Sequence, residues 1–336
     1  MKAAFIRRYG GTEVLELGEQ PAPSPGPDDL QVQVRAASVN PIDFKIRAGH
    51  AKVVLPYKFP LILGNDLSGV VKAVGSRVTR FKPGDEIYAR LDKDRIGSFA
   101  EEALVRESAA ALKPTNTTHE EAASLPLVGL TCWQAFVDIA RLERGQKILI
   151  HAGSGGIGTF AIQLAHHLGA VVATTTSARN AELVKQLGAD IVIDYKTQRF
   201  EDVCREQDVV FDTVGGETQY RSFGAMRRGG VMVSIAGVPD AKFGRAYGLN
   251  PMMVLALSFL TRKTTRLARK HAVRFEYLFM RADGQQLGEI AKLVERGTIR
   301  PVIDKVFPLD QIREALAYSE SGRAKGKIVI GIGAAK

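Results

Sequence analysis

The residues best suited to chemistry in this 336-residue chain are a run of glycines, Gly153-Ser154-Gly155-Gly156-Ile157-Gly158. The run reads G-x-G-x-x-G. Residues 147–151 before it form an apolar strand pattern, and residues 157–168 after it have helical spacing. In that setting glycines permit a tight turn and close approach of backbone to a pyrophosphate. The helix N-terminus adds free N–H groups and the favourable end of its dipole. The expected ligand is a dinucleotide. A glycine-rich turn that binds nothing is the bland alternative, and the strand–turn–helix context weighs against it.

The following strand decides which dinucleotide. A site for NAD usually places Asp or Glu at its end to hold the ribose hydroxyls. Here the strand ends Ala173-Thr174-Thr175-Thr176-Ser177, with Arg179 just beyond. Hydroxyls from Thr175 and Ser177 and a guanidinium suit a 2′-phosphate that a carboxylate would repel. NADPH is the expected cofactor. Arg179 facing water at a helix start is the alternative.

These residues need a scaffold. The chain is long enough for two domains. Its first third holds short Val- and Ile-rich runs at residues 30–37, 69–74 and 86–89, separated by Gly/Pro turns, which suggests a small β barrel or sandwich. From residue 147 strands and helices alternate through residue 236, the rhythm of a doubly wound parallel sheet. Residues 240–274 break that rhythm with an apolar patch and then a basic helix-like run, Arg262, Lys263, Arg266, Arg269 and Lys270. The fold class read from this is α/β. Two cysteines, Cys132 and Cys204, cannot build a disulfide framework or a four-cysteine zinc site, so a reducing cytoplasm is expected. Residues 1–8 have no apolar signal core, and the apolar stretch at 251–260 is too short to span a bilayer. The formal charge of +10 favours anionic partners or a solvated basic surface.

Several motifs then converge. They are Ser38-Val39-Asn40-Pro41-Ile42-Asp43, Gly64-Asn65-Asp66-Leu67-Ser68-Gly69-Val70-Val71, Val74-Gly75 and Phe81-Lys82-Pro83-Gly84-Asp85. Residues 125–133, the glycine run, Leu187-Gly188-Ala189-Asp190, Ile193-Asp194-Tyr195 and Gly326-Lys327 extend them. With these the chain resembles, over nearly its whole length, the zinc-free quinone and enone reductase branch of the medium-chain dehydrogenase/reductase superfamily. The resemblance implies a Rossmann domain at 125–270 and a GroES-like catalytic domain made by 1–124 and 271–336, with an active-site cleft at their junction. It implies that Thr131 contacts the nicotinamide end and that Ser177 and Tyr195 lie on the phosphate side. Many relatives have a lysine where this chain has Asn180, and Arg179 is the expected substitute. The resemblance also suggests a homodimer joined edge to edge through the Rossmann sheet near residues 231–235.

In the alcohol-dehydrogenase relatives a catalytic zinc is held by Cys, His-Glu and Cys positions. Those positions resemble Asn40, Asn65-Asp66 and the neighbourhood of Leu127, and the structural-zinc lobe is missing. Asn and Leu do not supply thiolate, imidazole or carboxylate ligands, so no metal is expected. The adjacent His166 and His167 diverge by about 100° on a helix and cannot face one ion. Without a Lewis acid the expected reaction is hydride transfer to a quinone or α,β-unsaturated carbonyl, whose developing oxyanion needs only donors. Asn40 is the first candidate donor and Lys45 the second, with Asp43 orienting Lys45; Tyr57 is a weaker candidate. Asn40 as a turn residue before Pro41 and Lys45 as a surface lysine are the plain alternatives. The basic run 262–274 reads as a solvated helix face, with cofactor steering or contact with anionic lipid as the other readings. A nicotinamide-binding protein with an RNA-binding or membrane-surface role and little catalysis is the competing function. No RNA-recognition motif supports the RNA-binding form, so nucleic acid is not an expected partner.

Overall fold

The computed structural model describes residues 1–333; residues 334–336, the end of the segment expected at 271–336, lie outside the described residues. The chain divides into two compact units, Met1–Leu130 with Arg281–Lys336, and Thr131–Met280. The boundaries expected from sequence are 124/125 and 270/271.

The first unit opens with β1 (Lys2–Ile6), β2 (Leu15–Glu19) and the long β3 (Asp29–Val39). Helix α1 (Pro41–Arg47) follows directly. Then come β4 (Leu61–Ile62), β5 (Asp66–Val74), β6 (Glu86–Arg90), β7 (Glu102–Arg106) and β8 (Ala110–Leu112). In β3, Leu30, Val32 and Val34 are buried while Gln33 and Arg35 are exposed, the alternation of a half-buried strand. α1 starts where Pro41 sets the first helical φ and Asp43 accepts the Asn40 N–H at 2.7 Å.

The second unit begins its sheet with β9 (Lys147–Ile150), followed by helix α2 (Gly156–His167). The further strands are β10 (Val171–Thr176), β11 (Ile191–Asp194), β12 (Gln207–Asp212) and β13 (Met226–Ser234). Three helices fill the stretch that broke the rhythm: α3 (Ala241–Ala246), α4 (Pro251–Leu260) and α5 (Arg262–His271). β14 (Arg274–Tyr277) closes the sheet. The order is β11-β10-β9-β12-β13-β14, every pair parallel. Numbered from β9, this is the Rossmann order 3-2-1-4-5-6, whose direction reverses between β9 and β12. Leu149, Ala173, Val210 and Met232 from four neighbouring strands share one core with Phe200 and Phe223. β13 is therefore not an edge, contrary to the expectation for residues 231–235. β14 pairs with it in register from Val231 to Ser234.

The chain then returns to the first unit with β15 (Ile303–Pro308) and β16 (Lys327–Gly331). β16 pairs with β3, giving the order β15-β16-β3-β5-β6-β8 with β7 also on β3. The two ends of the sequence thus build one sheet.

Candidate functional site

In the second unit, the glycine run leaves β9 at its carboxyl end, beside the point where strand order reverses. Ala152 carries the turn at φ +55°, a left-handed conformation that L residues seldom adopt. A Cβ on Gly158 would lie 2.4 Å from the Ala152 carbonyl oxygen and 2.6 Å from Gly153 Cα, so only glycine lets helix and turn meet here. A Cβ on Gly153 would lie 2.1 Å from Thr174 Oγ1. The N-cap, Gly155, has no capping side chain. The first helical bond runs from Thr159 N to Gly155 O at 2.9 Å, which leaves the N–H groups of Gly156, Ile157 and Gly158 without helical partners. This is a ready anion site.

The end of β10 comes to this turn. Ser154 Oγ accepts from Thr176 Oγ1 and from Asn180 Nδ2, each at 2.9 Å. Asn180 Nδ2 also reaches Ser177 Oγ at 3.3 Å, while its Oδ1 is buried with no partner. A buried acceptor left open at such a turn fits a ligand hydroxyl. Arg179 is exposed and makes no ion pair among the described residues, and Tyr195 is 61% exposed. The expected set of Ser154, Ser177, Arg179 and Tyr195 therefore lies around one end of the sheet, since Tyr195 N bonds to Thr176 O at 3.1 Å. Thr131 is buried on the helix Pro126–Trp133.

Thr175 corrects one expectation. Its hydroxyl points inward, accepts from Ala152 N at 3.2 Å and meets His151 Nδ1 at 3.2 Å. Ser222 Oγ donates to Thr218 O and so accepts from His151 Nε2 at 2.8 Å. The ring is a neutral tautomer, and burial holds its pKa down to about 4. Thr175 and His151 therefore hold the turn in shape, and the Thr175 hydroxyl is committed to that inner contact rather than offered to a phosphate. His151 and Thr176 were not read as site residues from sequence, because their partners come from separate elements.

In the first unit, the positions expected to correspond to lost zinc ligands do come together, around a carboxylate. Asp66 is fully buried. Its Oδ2 accepts from Ser38 Oγ and Asn40 Nδ2, both at 2.8 Å, and its Oδ1 accepts from Leu127 N at 3.1 Å. Lys327, buried, donates to Asn40 Oδ1 at 2.6 Å and lies 3.6 Å from Asp66 Oδ2. Asp43 accepts from Asn65 Nδ2 at 2.7 Å. Burial pushes the Asp43 carboxyl up to about 7 and raises Asp66 as well, while it lowers Lys327 and Arg90. Two buried acids face two buried bases.

This cluster does not fit zinc. Its two carboxylates, Asp43 and Asp66, are already taken up by a hydroxyl, side-chain amides and main-chain N–H groups, and an ammonium sits against Asn40 and Asp66. A dication there would be repelled by Lys327, and no three His, Cys, Asp or Glu side chains of the described residues form a group suited to a metal. The cluster also corrects the roles expected for Asn40 and Asp43. The Asn40 amide is 1% exposed, donates to Ser38 O and Asp66 and accepts from Lys327, so it is not free to meet a substrate oxyanion. Asp43 binds Asn40 N and Asn65 rather than orienting Lys45, which stands exposed on α1. Tyr57 donates to Lys93 O at 2.5 Å, and its hydroxyl is raised by burial.

Residues 26–115 match the alcohol dehydrogenase GroES-like domain, and residues 187–330 match a family described as zinc-binding dehydrogenase. The chain is 35% identical over 356 residues to the mouse (Mus musculus) mitochondrial NAD(P)H oxidoreductase RTN4IP1, covering 99% of this chain and 89% of that protein. It is 34% identical over 345 residues to the 2-methylene-furan-3-one reductase of Solanum lycopersicum, covering 98% and 79%. Among solved structures it superposes on the quinone oxidoreductase from Coxiella burnetii with a TM-score of 0.87 at 31% identity, covering 99% of both chains.

Proposed function

The chain belongs to the quinone oxidoreductase branch of the medium-chain dehydrogenase/reductase superfamily, and from that premise we propose that it is an NADPH-dependent reductase of conjugated carbonyl compounds or quinones. The carrying observation is the glycine turn at the sheet's switch point beside a β10 end that has hydroxyls, an amide and Arg179 but no acid. Bound there, the dinucleotide supplies a hydride. Gly156, Ile157 and Gly158 N–H groups would hold the pyrophosphate, Asn180 Oδ1 a ribose hydroxyl, and Arg179 with Ser177 the 2′-phosphate.

An acceptor whose charge delocalises suits a residue set that offers no metal ligands. An enolate or hydroquinone anion is stabilised by hydrogen-bond donors, whereas an alkoxide from a simple alcohol calls for stronger polarisation. With the Asn40 amide committed, exposed Lys45 is the donor we assign in the first unit. The buried thiols of Cys132 and Cys204 suit a reducing compartment such as the cytoplasm, and a homodimer would have the open edge of β14 for strand pairing.

Fluorescence titration tests the cofactor assignment. NADPH should bind at least about tenfold tighter than NADH, a difference of about 1.4 kcal/mol. Arg179→Ala should narrow the gap chiefly by weakening NADPH. Equal affinities for the two cofactors in the unaltered protein would overturn it.

A further inference from the structure

α4 is built of Pro, Met, Val, Leu, Ala, Ser and Phe, yet not one of its ten residues is buried. Met252 is 81% exposed, Leu255 71%, Phe259 73% and Leu260 60%. The opposite side of the helix does pack. A Cβ on Gly244 of α3 would lie 3.0 Å from Leu257 Cδ1 and 3.3 Å from Val254 Cγ2. The helix is therefore held by one face, while Met252, Leu255 and Phe259, at helical spacing, form an apolar stripe in water. Isolated exposed apolar residues are ordinary, but a contiguous stripe of this kind marks an interaction surface.

A basic cleft lies at the C-terminal end of α4. α5 follows α4 after Thr261. A cleft of about 580 Å³ is lined by Lys242, Arg245, Arg262, Arg266 and Arg269, with Ser258 on the α4 side and Asp240 as its one acid. Asp240 is occupied in capping α3, accepting from Phe243 N at 2.8 Å. Lys242 is paired with Glu276, but Arg245, Arg262, Arg266 and Arg269 make no ion pair among the described residues. Arginine guanidinium groups bind phosphate through paired hydrogen bonds.

We propose that α4 and α5 dock this protein on an anionic lipid bilayer. The stripe enters the acyl boundary and the arginines of the cleft take lipid phosphates. Juxtaposed apolar and cationic surface is the composition of interfacial helices. Free phosphate in the cleft would leave the stripe unexplained. A second copy related by a twofold axis would tend to set these cations against themselves. The contact is peripheral, because no helix of the described residues is long and apolar enough to cross a membrane.

Flotation of the full chain tests this with vesicles of phosphatidylcholine alone and of phosphatidylcholine and phosphatidylglycerol in equal parts. Binding is expected only to the second, and raised salt should weaken it. Arg262→Gln with Arg266→Gln and Arg269→Gln should weaken it about 100-fold, roughly fivefold for each cation. Leu255→Ser with Phe259→Ser should weaken it to a similar degree, about tenfold per side chain. Both variants change surface positions, and retained NADPH binding would show that they fold. No binding to either vesicle, equal binding to both, or binding untouched by both variants would overturn the proposal. So would sedimentation showing that Leu255→Ser with Phe259→Ser turns a dimer into a monomer while vesicles are not bound.

Discussion

Lys327 lies against Asn40 and Asp66, and it supplies the positive charge that Asp66 needs. At 3.6 Å the pair attracts by about 4–5 kcal/mol at an effective dielectric near 20, about what burying the two charges costs. The pair itself is near break-even, whereas removing one partner strands the other. Lys327→Met should therefore lower unfolding stability by about 3–5 kcal/mol, read by urea denaturation. A loss below about 1 kcal/mol would show that Asp66 is neutral in the native protein. Asn40→Ala should lower stability as well as turnover, because its amide bridges Ser38, Asp66 and Lys327; an unchanged midpoint with lost turnover would return it to the substrate side. His151 gives a pH signature. Its native pKa is near 4 and its ordinary value 6.5, so between those values the unfolded chain binds a proton that the native one refuses. This contribution to stability is complete above pH 6.5 and is lost as pH falls toward 4, about 2 kcal/mol of it by pH 5. Denaturation curves of the protein and of His151→Asn should differ in their pH slope over this window; equal slopes would contradict the assignment.

At the scale of elements, the glycine turn makes the sharpest demand. Gly158→Ala places a methyl against backbone at 2.4 Å, which neither strand nor helix can yield without reshaping the turn. Cofactor affinity should fall at least about tenfold with a smaller change in unfolding midpoint, and unchanged affinity would remove the turn from the binding site. This element was legible because its signals are local: an apolar strand, spaced glycines and a helical run within about twenty residues. Other features were not. β13 begins at Met226, five residues before the part of the sheet expected near residues 231–235, because Gly229 and Gly230 look like a turn but belong to an irregular stretch of strand. The cluster at Asn40 depends on Lys327, 287 residues away, and only the return of β16 to β3 joins them. Asn40, Asp43 and Lys45 looked like one functional loop, yet α1 turns Lys45 to water and the other two inward. The composition of α4 reads as an apolar patch, and nothing in its periodicity tells which of its faces is left uncovered.

For the whole molecule, a dinucleotide-binding sheet is joined in one chain to a first unit whose buried polar centre is held by Asp66, Asn40 and Lys327. Activity should survive exhaustive chelation, and elemental analysis should find no stoichiometric zinc. Loss of turnover with a chelator, restored by added zinc, would contradict the reading of the Lys327 cluster. The most direct measurement of the central claim follows oxidation of NADPH by the full chain with an enone and with a quinone, beside reduction of NADP by simple alcohols. Turnover of at least one conjugated acceptor, with no comparable rate for the alcohols, is the expected result. Rapid oxidation of simple alcohols, with neither the enone nor the quinone turned over, would contradict it.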